Sequence, residues 1–250
     1  MITENLYFYN NRGQRIAGRI YRDEEMSKKG VIFCHGLFSS KDGYKITMLS
    51  HDIVKAGYTL FTFDFSFVGQ SEGHISELSI LQEVEDLKSA FMFFKDYGLE
   101  EINLMGSSMG GVVSLLITME KKFEIKTLTL IATPVNLHSI IPDNLDIEGI
   151  DKLPDKEMTS LNGIQINNRF FRELKQINTD IAINNLMIPT IIIHGLSDKV
   201  VAISNARHLS KNLKSQKKLV IINGGDHHLS RESDINVLRE NIIDWWNKYS

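Results

Sequence analysis

The sequence predicts an α/β fold: a mostly parallel central sheet with helices on both faces and a small helical cap insertion. Three observations carry this. Short apolar runs alternate with segments of helical spacing from residue 31 to the last residues, the rhythm of strand and crossover helix. The runs are apolar almost continuously rather than at every second residue, as strands covered on both faces are. The alternation breaks once, between 134 and 187, where the chain turns polar and irregular and holds three of its four prolines. A structureless loop of that length is out of place in a compact domain, so the break is expected to be a small helical insertion. The expected core is 1–133 together with 188–250, and the expected cap is 134–187.

In chain order, residues 5–22 (NLYFYNNRGQRIAGRIYR) read as two β-rich runs around an Asn-Asn-Arg-Gly turn, a hairpin. After a polar loop comes the strand VIFCH (31–35), then the turn-rich HGLFSSKDG and a helix over 44–57 that stops at Gly57. YTLFTFDF (58–65) is rich in the aromatic and β-branched residues that favour strands. A helix over 75–98, the strand EINLMG (101–106) and a helix over 108–122 follow, then the strand KTLTLIAT (126–133). Beyond the insertion, PTIIIHG (189–195) and KKLVIING (217–224) are strands with the helical segment 206–215 between them. The closing helix, 232–249, sets Ile235, Leu238, Ile242 and Trp245 at steps of three and four, one apolar stripe. Its two tryptophans are expected in core and rim packing, and Lys211, Lys214, Lys217 and Lys218 on a solvated face.

Composition narrows the function. Hydrophobic residues at 42% and charged residues at 24% are the balance of a globular protein. A net charge of −3 gives no basic footprint, so neither nucleic acid nor an acidic membrane surface is an expected partner. No run reaches the roughly 20 apolar residues of a membrane span. The single cysteine, Cys34, lies in an apolar run; it is expected buried, and it excludes a disulfide framework or a multi-cysteine metal site. One buried thiol and no basic-then-apolar leader point to the cytoplasm.

The chemistry is carried at the junction of EINLM and the next helix, which reads Gly106-Ser107-Ser108-Met109-Gly110-Gly111. This is G-x-S-x-G with Ser108 at its centre; a frame on Ser107 would need glycine at Met105. A serine on a sharp strand-to-helix turn needs small residues two positions either side, and the turn lifts its hydroxyl above the sheet at a helix N-terminus. A serine hydroxyl is a weak nucleophile without a base. Two candidate partners lie at later strand ends. Asp198 follows PTIIIHG, and INGGDHHLS sets His227 and His228 side by side after the last strand. Strand ends on one side of a parallel sheet are where ligands bind in such folds. Met109, directly after the serine, is positioned to offer its backbone N–H to a developing oxyanion.

Through HGLFSS, FDFSFVGQSEG, GSSMGG, HGLSD and GGDHHL in order, the chain resembles the α/β-hydrolase superfamily over nearly its whole length. Within it the blocks are most similar to serine esterases, lipases and acylglycerol hydrolases, cinnamoyl and feruloyl esterases with a short helical cap above all. The resemblance implies a triad of Ser108, Asp198 and His227. In the family the histidine falls in G-x-x-H-x-[FL], which Gly224, His227 and Leu229 match; choosing His228 would put Ser230 in the apolar place. His228 is then a pocket-rim neighbour, and Asp226 a poorer acid than Asp198. The resemblance also implies Leu37, rather than Phe38, as the second oxyanion donor, and there is no HGGG run. His35 and His194, in two His-Gly steps, are expected to support loops. Two departures stand out. Ser66, Phe67 and Val68 occupy places where relatives commonly have Arg or Asn, Gly and often His, which would put the bulk of Phe67 near the site. Ser107 precedes the nucleophile where cinnamoyl esterases often have His.

The implied activity is hydrolysis of carboxylic esters with small or aromatic acyl groups through an acyl-enzyme, with no metal or organic cofactor. His227, His228 and Asp226 lack the helical spacing of a metal cluster. Phe38, Phe67, Ile140, Phe170, Phe171 and His228 are candidate substrate contacts, with Ile141 and Leu161 beside them in the cap. An aminopeptidase is the alternative that the cap acids Asp143, Asp146, Glu148 and Asp151 would serve by holding a substrate ammonium. An acyl thioesterase would use the same triad. The alternative of another class is a non-catalytic binding protein, which would be expected to have lost a triad member or an elbow glycine. Substrate and oligomeric state are left open by the sequence.

Overall fold

The computed structural model describes residues 1–142, 145, 148–154 and 157–250. Strands β1 (Ile2–Tyr9) and β2 (Arg15–Arg22) form the expected antiparallel hairpin. Its turn is held by the Asn10 side chain, whose Oδ1 accepts the N–H groups of Arg12 and Gln14. Then β3 (Lys29–Cys34), α1 (Tyr44–Lys55), β4 (Thr59–Phe63), α2 (Ile80–Asp96), β5 (Glu101–Ser107), α3 (Met109–Ile117) and β6 (Ile125–Ile131) alternate as expected. The inserted segment holds β7 (Met158–Leu161), β8 (Ile164–Asn167), α4 (Asn168–Gln176) and α5 (Thr179–Asn185). The chain then returns to β9 (Thr190–Gly195), α6 (Ser204–Asn212), β10 (Lys217–Ile222) and α7 (Glu232–Tyr249).

Eight strands make one sheet in the order β1-β2-β4-β3-β5-β6-β9-β10. From β4 to β10 every neighbouring pair is parallel, and β2 joins β4 antiparallel. Because side chains alternate across a strand, the apolar runs feed two cores. On β3, Val31 and Phe33 pack with α1 and α7, whereas Ile32 and Cys34 pack with α2 and α3. Trp245 and Trp246 are buried in the first of these cores, where the Trp246 indole N–H donates to Thr129 Oγ1 at 3.1 Å. Lys211, Lys214, Lys217 and Lys218 are exposed. Among the described residues, no helix is long and apolar enough to cross a membrane.

The insertion is not wholly helical. β7 and β8 pair antiparallel around Asn162-Gly163, whose φ values of 52° and 83° are both positive, as the tight primed turn of a two-residue hairpin requires. Nor does the insertion stand apart from the core. Phe170, Phe171 and Leu174 of α4 are fully buried in the same cluster as Val84 and Leu87 of α2 and Val113 of α3. A polar tie runs alongside. Ser79 caps α2 by accepting the Gln82 N–H at 3.1 Å and donates its own hydroxyl to Glu173 of α4 at 2.8 Å.

Candidate active site

At the end of β5 the backbone of Ser108 takes φ 54° and ψ −123°, a region that side-chain-bearing residues rarely occupy. The turn is pinned on both sides: the Ser108 N–H donates to Ile131 O at 2.8 Å, and its carbonyl accepts the Gly111 N–H at 2.9 Å. The flanking glycines are required by contact. A Cβ on Gly106 would strike the Gly110 carbonyl, and one on Gly110 would strike the carbonyls of Cys34 and His35. The resulting Ser108 side chain is partly exposed at the floor of a cleft of about 380 Å³.

The later strand ends bring their polar residues to the same place. The Ser108 hydroxyl lies 3.1 Å from His227 Nε2, and His227 Nδ1 lies 2.8 Å from Asp198 Oδ2. These contacts assign the tautomer: Nδ1–H donates to the carboxylate, leaving Nε2 to accept the serine proton. Asp198 Oδ1 accepts the N–H groups of Val200 and Val201, both at 2.8 Å, and His194 Nε2 stands 3.3 Å from Oδ2. Burial alone would raise the Asp198 carboxyl. The hydrogen bonds from His194, His227 and the Val201 amide, with the charge of His227, more than reverse that and hold it well below the usual carboxylate range. Asp226 is engaged elsewhere, accepting the Leu229 N–H at 2.9 Å.

The loop after β3 closes the other side. A Cβ on Gly36 would lie 3.0 Å from Ser108 Cβ, so the 35–38 loop runs directly over the Ser108 turn. Among the described residues, neither the Leu37 N–H nor the Met109 N–H has a backbone acceptor. His35 underlies this loop. It is buried, with Nδ1 on Gly36 O at 2.9 Å and Nε2 accepting the Phe65 N–H at 3.1 Å, and burial lowers its pKa, keeping the ring neutral. His194, also buried, donates to Val201 O at 2.8 Å and so steadies the Asp198 loop.

The substrate-contact expectations divide. Leu37, Phe38 and His228 line the cleft. Phe67 does not: it is buried, with its ring against Gly73 and the Arg12 guanidinium 4.9 Å above it. Its φ of 76° shows why glycine suits that place in relatives and turns the ring inward. Phe170 and Phe171 do not line the cleft either; they pack edge to face, 5.4 Å apart, and anchor the insertion to the core. Ile140 is half-buried against the same core, and Ile141 and Leu161 are buried in it. Of the cap acids, Asp151 pairs with Lys175 at 2.5 Å and Glu148 is exposed. Asp143 and Asp146 lie outside the described residues. Among the described residues no cluster of three or more His, Cys, Asp or Glu side chains could hold a metal ion.

One cleft residue has no signal in the sequence reading. Lys45, in the first turn of α1, reaches into the cleft beside Ser108 and donates from Nζ to Ser107 Oγ at 3.0 Å. Only its place just after the turn-rich loop following β3, at the ligand-binding end of the sheet, distinguishes it from any surface lysine.

A strained serine above the sheet, met by an imidazole and a carboxylate from later strand ends, defines a hydrolase of α/β architecture. The comparisons place it more closely. The alpha/beta hydrolase fold family matches residues 30–158, and the serine aminopeptidase family (S33) matches residues 146–234. The chain belongs to the α/β-hydrolase fold family. Mouse palmitoyl-protein thioesterase ABHD10, mitochondrial, is 24% identical over 233 residues, covering 88% of this chain and 76% of that protein. Among solved structures, Est1E from Butyrivibrio proteoclasticus with ferulic acid bound superposes with a TM-score of 0.86 at 20% identity, covering 98% of both chains. The esterase domain of a Rhodothermus marinus protein gives 0.78 at 24% identity, covering 100% of this chain and 99% of that one.

Proposed function

We propose that the protein is a serine hydrolase cleaving carboxylic esters of small or aromatic acyl groups. The observation that carries this is the chain of contacts from Asp198 through His227 to Ser108 at the floor of a cleft lined by both apolar and polar side chains. Ser108 Oγ attacks the ester carbonyl while its proton passes to His227 Nε2, and Asp198 stabilises the imidazolium that forms. The carbonyl oxygen, now an anion, is held by the N–H groups of Leu37 and Met109. The tetrahedral species collapses as His227 returns the proton to the departing alkoxide, leaving an acyl-enzyme. Water then attacks by the same route and releases the acid. Balanced in this way, the cycle calls for no cofactor. Residues 134–187 act as the cap, and one buried thiol suits a reducing compartment such as the cytoplasm.

A thioester passes through the same intermediates, and the similarity to the mouse thioesterase supports that second reading. Aminopeptidase activity is less well supported, because among the described residues no acidic side chain lines the cleft to meet an ammonium and Asp151 already has a partner. The experiment is labelling with a fluorescent fluorophosphonate, followed by p-nitrophenyl esters of graded chain length and acyl thioesters. Ser108→Ala and His227→Ala should abolish the label and lower turnover about ten-thousandfold or more, whereas His228→Ala should keep the label. A folded wild type silent towards the probe and every substrate would turn the account to a binding role. Loss of labelling in His228→Ala alone would move the base to the neighbouring histidine.

A further inference from the structure

The ammonium of Lys45 stands in the cleft without a counter-ion. Its one hydrogen-bond partner is the neutral Ser107 hydroxyl, and among the described residues no carboxylate comes within 4.0 Å of it. Lys41, four residues earlier, shows how this fold treats a buried lysine that has only a structural task. Its Nζ is shared by Asp42 at 2.8 Å, Asp64 at 3.3 Å and Gln70 at 2.9 Å. A cation withdrawn from water normally gains such partners, because desolvation without them is costly. Lys45 is half-buried, open to solvent only on the cleft side, and among the described residues it has none; it faces the cleft that also contains Ser108 and His227. Among the described residues, none that lines the cleft carries a negative charge.

We propose that Lys45 is a specificity residue that binds a carboxylate borne by the ester substrate itself, so that the substrate supplies the missing counter-ion. This rests on the hydrolase reading above. Ser107 and Ser108 are chain neighbours, about 3.8 Å apart at Cα, so the cation lies only a few bonds from the scissile carbonyl. The substrate class is accordingly a short ester with a second, ionised acid group, carried on either the acyl or the alcohol part.

Titration gives the proposal a second handle. Burial pushes Lys45 down to about 8, with Asp198 and Asp226 partly opposing it from farther off. The other titratable groups facing it are Tyr44 from its own helix and His227 and His228 from the loop after β10. Lys45 is charged below its pKa, so the preference for an anionic ester is present at neutral pH and fades as pH rises through about 8.

The test compares three substrates: p-nitrophenyl butyrate, p-nitrophenyl hemiglutarate with its carboxylate on the acyl part, and 3-carboxy-4-nitrophenyl butyrate with its carboxylate on the leaving group. Wild type should prefer one charged ester over the neutral one by about tenfold or more in kcat/KM, the scale of one charge-assisted hydrogen bond. Which ester is preferred tells which part of the substrate carries the anion. The ratio should collapse in Lys45→Met through KM and persist in Lys45→Arg. No preference in wild type, or one that survives in Lys45→Met, would overturn the proposal. A measurement on wild type alone guards against a misfolded variant: glutarate should inhibit turnover of the neutral ester, and less so above pH 8, while indifference to glutarate overturns the reading. If no ester is cleaved and the fluorophosphonate leaves Ser108 unlabelled, the hydrolase reading has failed separately. Calorimetric titration of glutarate then decides for Lys45, with binding to wild type but not to Lys45→Met in favour and any other result against.

Discussion

Ser108 holds its backbone at φ 54° and ψ −123°, a conformation that costs a residue with a Cβ on the order of 1–3 kcal/mol. Replacing the hydroxyl alone does not remove that cost, since alanine keeps the Cβ. Ser108→Gly should therefore be more stable than Ser108→Ala by about 1–2 kcal/mol in urea unfolding, both being inactive. Equal midpoints would mean that the pins from Ile131 and Gly111, not the dihedral itself, set the energy of the turn. The serine and its glycines are legible in the sequence because the steric demand is written in consecutive residues. Asp198 and His227 are legible as strand-end polar groups in the right order, and the family pattern separates His227 from His228. Lys45 is not legible, because lysines in the first turn of an amphipathic helix are common and only the packing of α1 beside Ser107 makes this one face a cleft. Phe67 misleads for the opposite reason: the resemblance sets it near the site, but a left-handed backbone packs the ring against Gly73 and Arg12.

Elements were legible in proportion to their periodicity. Each of the six parallel strands, β3 to β6, β9 and β10, overlaps an apolar run, and their parallel direction follows from the crossover helices, whereas β1 and β2 carry polar and charged residues and are marked by the turn between them. The β7–β8 hairpin escapes this reading although Asn162-Gly163, a strong turn signal, sits at its centre. Its strands are only four residues each, too short to alternate visibly, and the surrounding residues are polar. Between elements the consequential link is the one that fastens the insertion to the core. Ser79 both caps α2 and donates to Glu173 of α4, which also accepts from Arg169 and the Leu81 N–H. Ser79→Ala removes the cap and one donor to a buried carboxylate together. It should lower stability by about 1–2 kcal/mol in denaturant titration. Ser79→Thr, which keeps the hydroxyl, should recover most of the loss. An alanine variant as stable as wild type would show that α4 is held by Phe170, Phe171 and Leu174 alone.

Across the whole molecule, the sheet divides two cores, and the described part of the insertion packs into one of them. Loss of native structure is expected as one cooperative event. Cys34 offers a way to watch it. The thiol is fully buried at the C-terminal end of β3, burial pushes it up to about 12, and the Cys34 carbonyl lies against Gly110 beneath the Ser108 turn. Since a thiolate is the reacting species, the native protein should resist alkylation by iodoacetamide for as long as the floor under Ser108 stays shut. With no second cysteine in the sequence, every modified molecule counts one opening of that floor. If modification keeps pace with global unfolding, the ground beneath Ser108 is the last to give way. If it runs ahead, that ground breathes on its own, and one native sulfur atom serves as its clock.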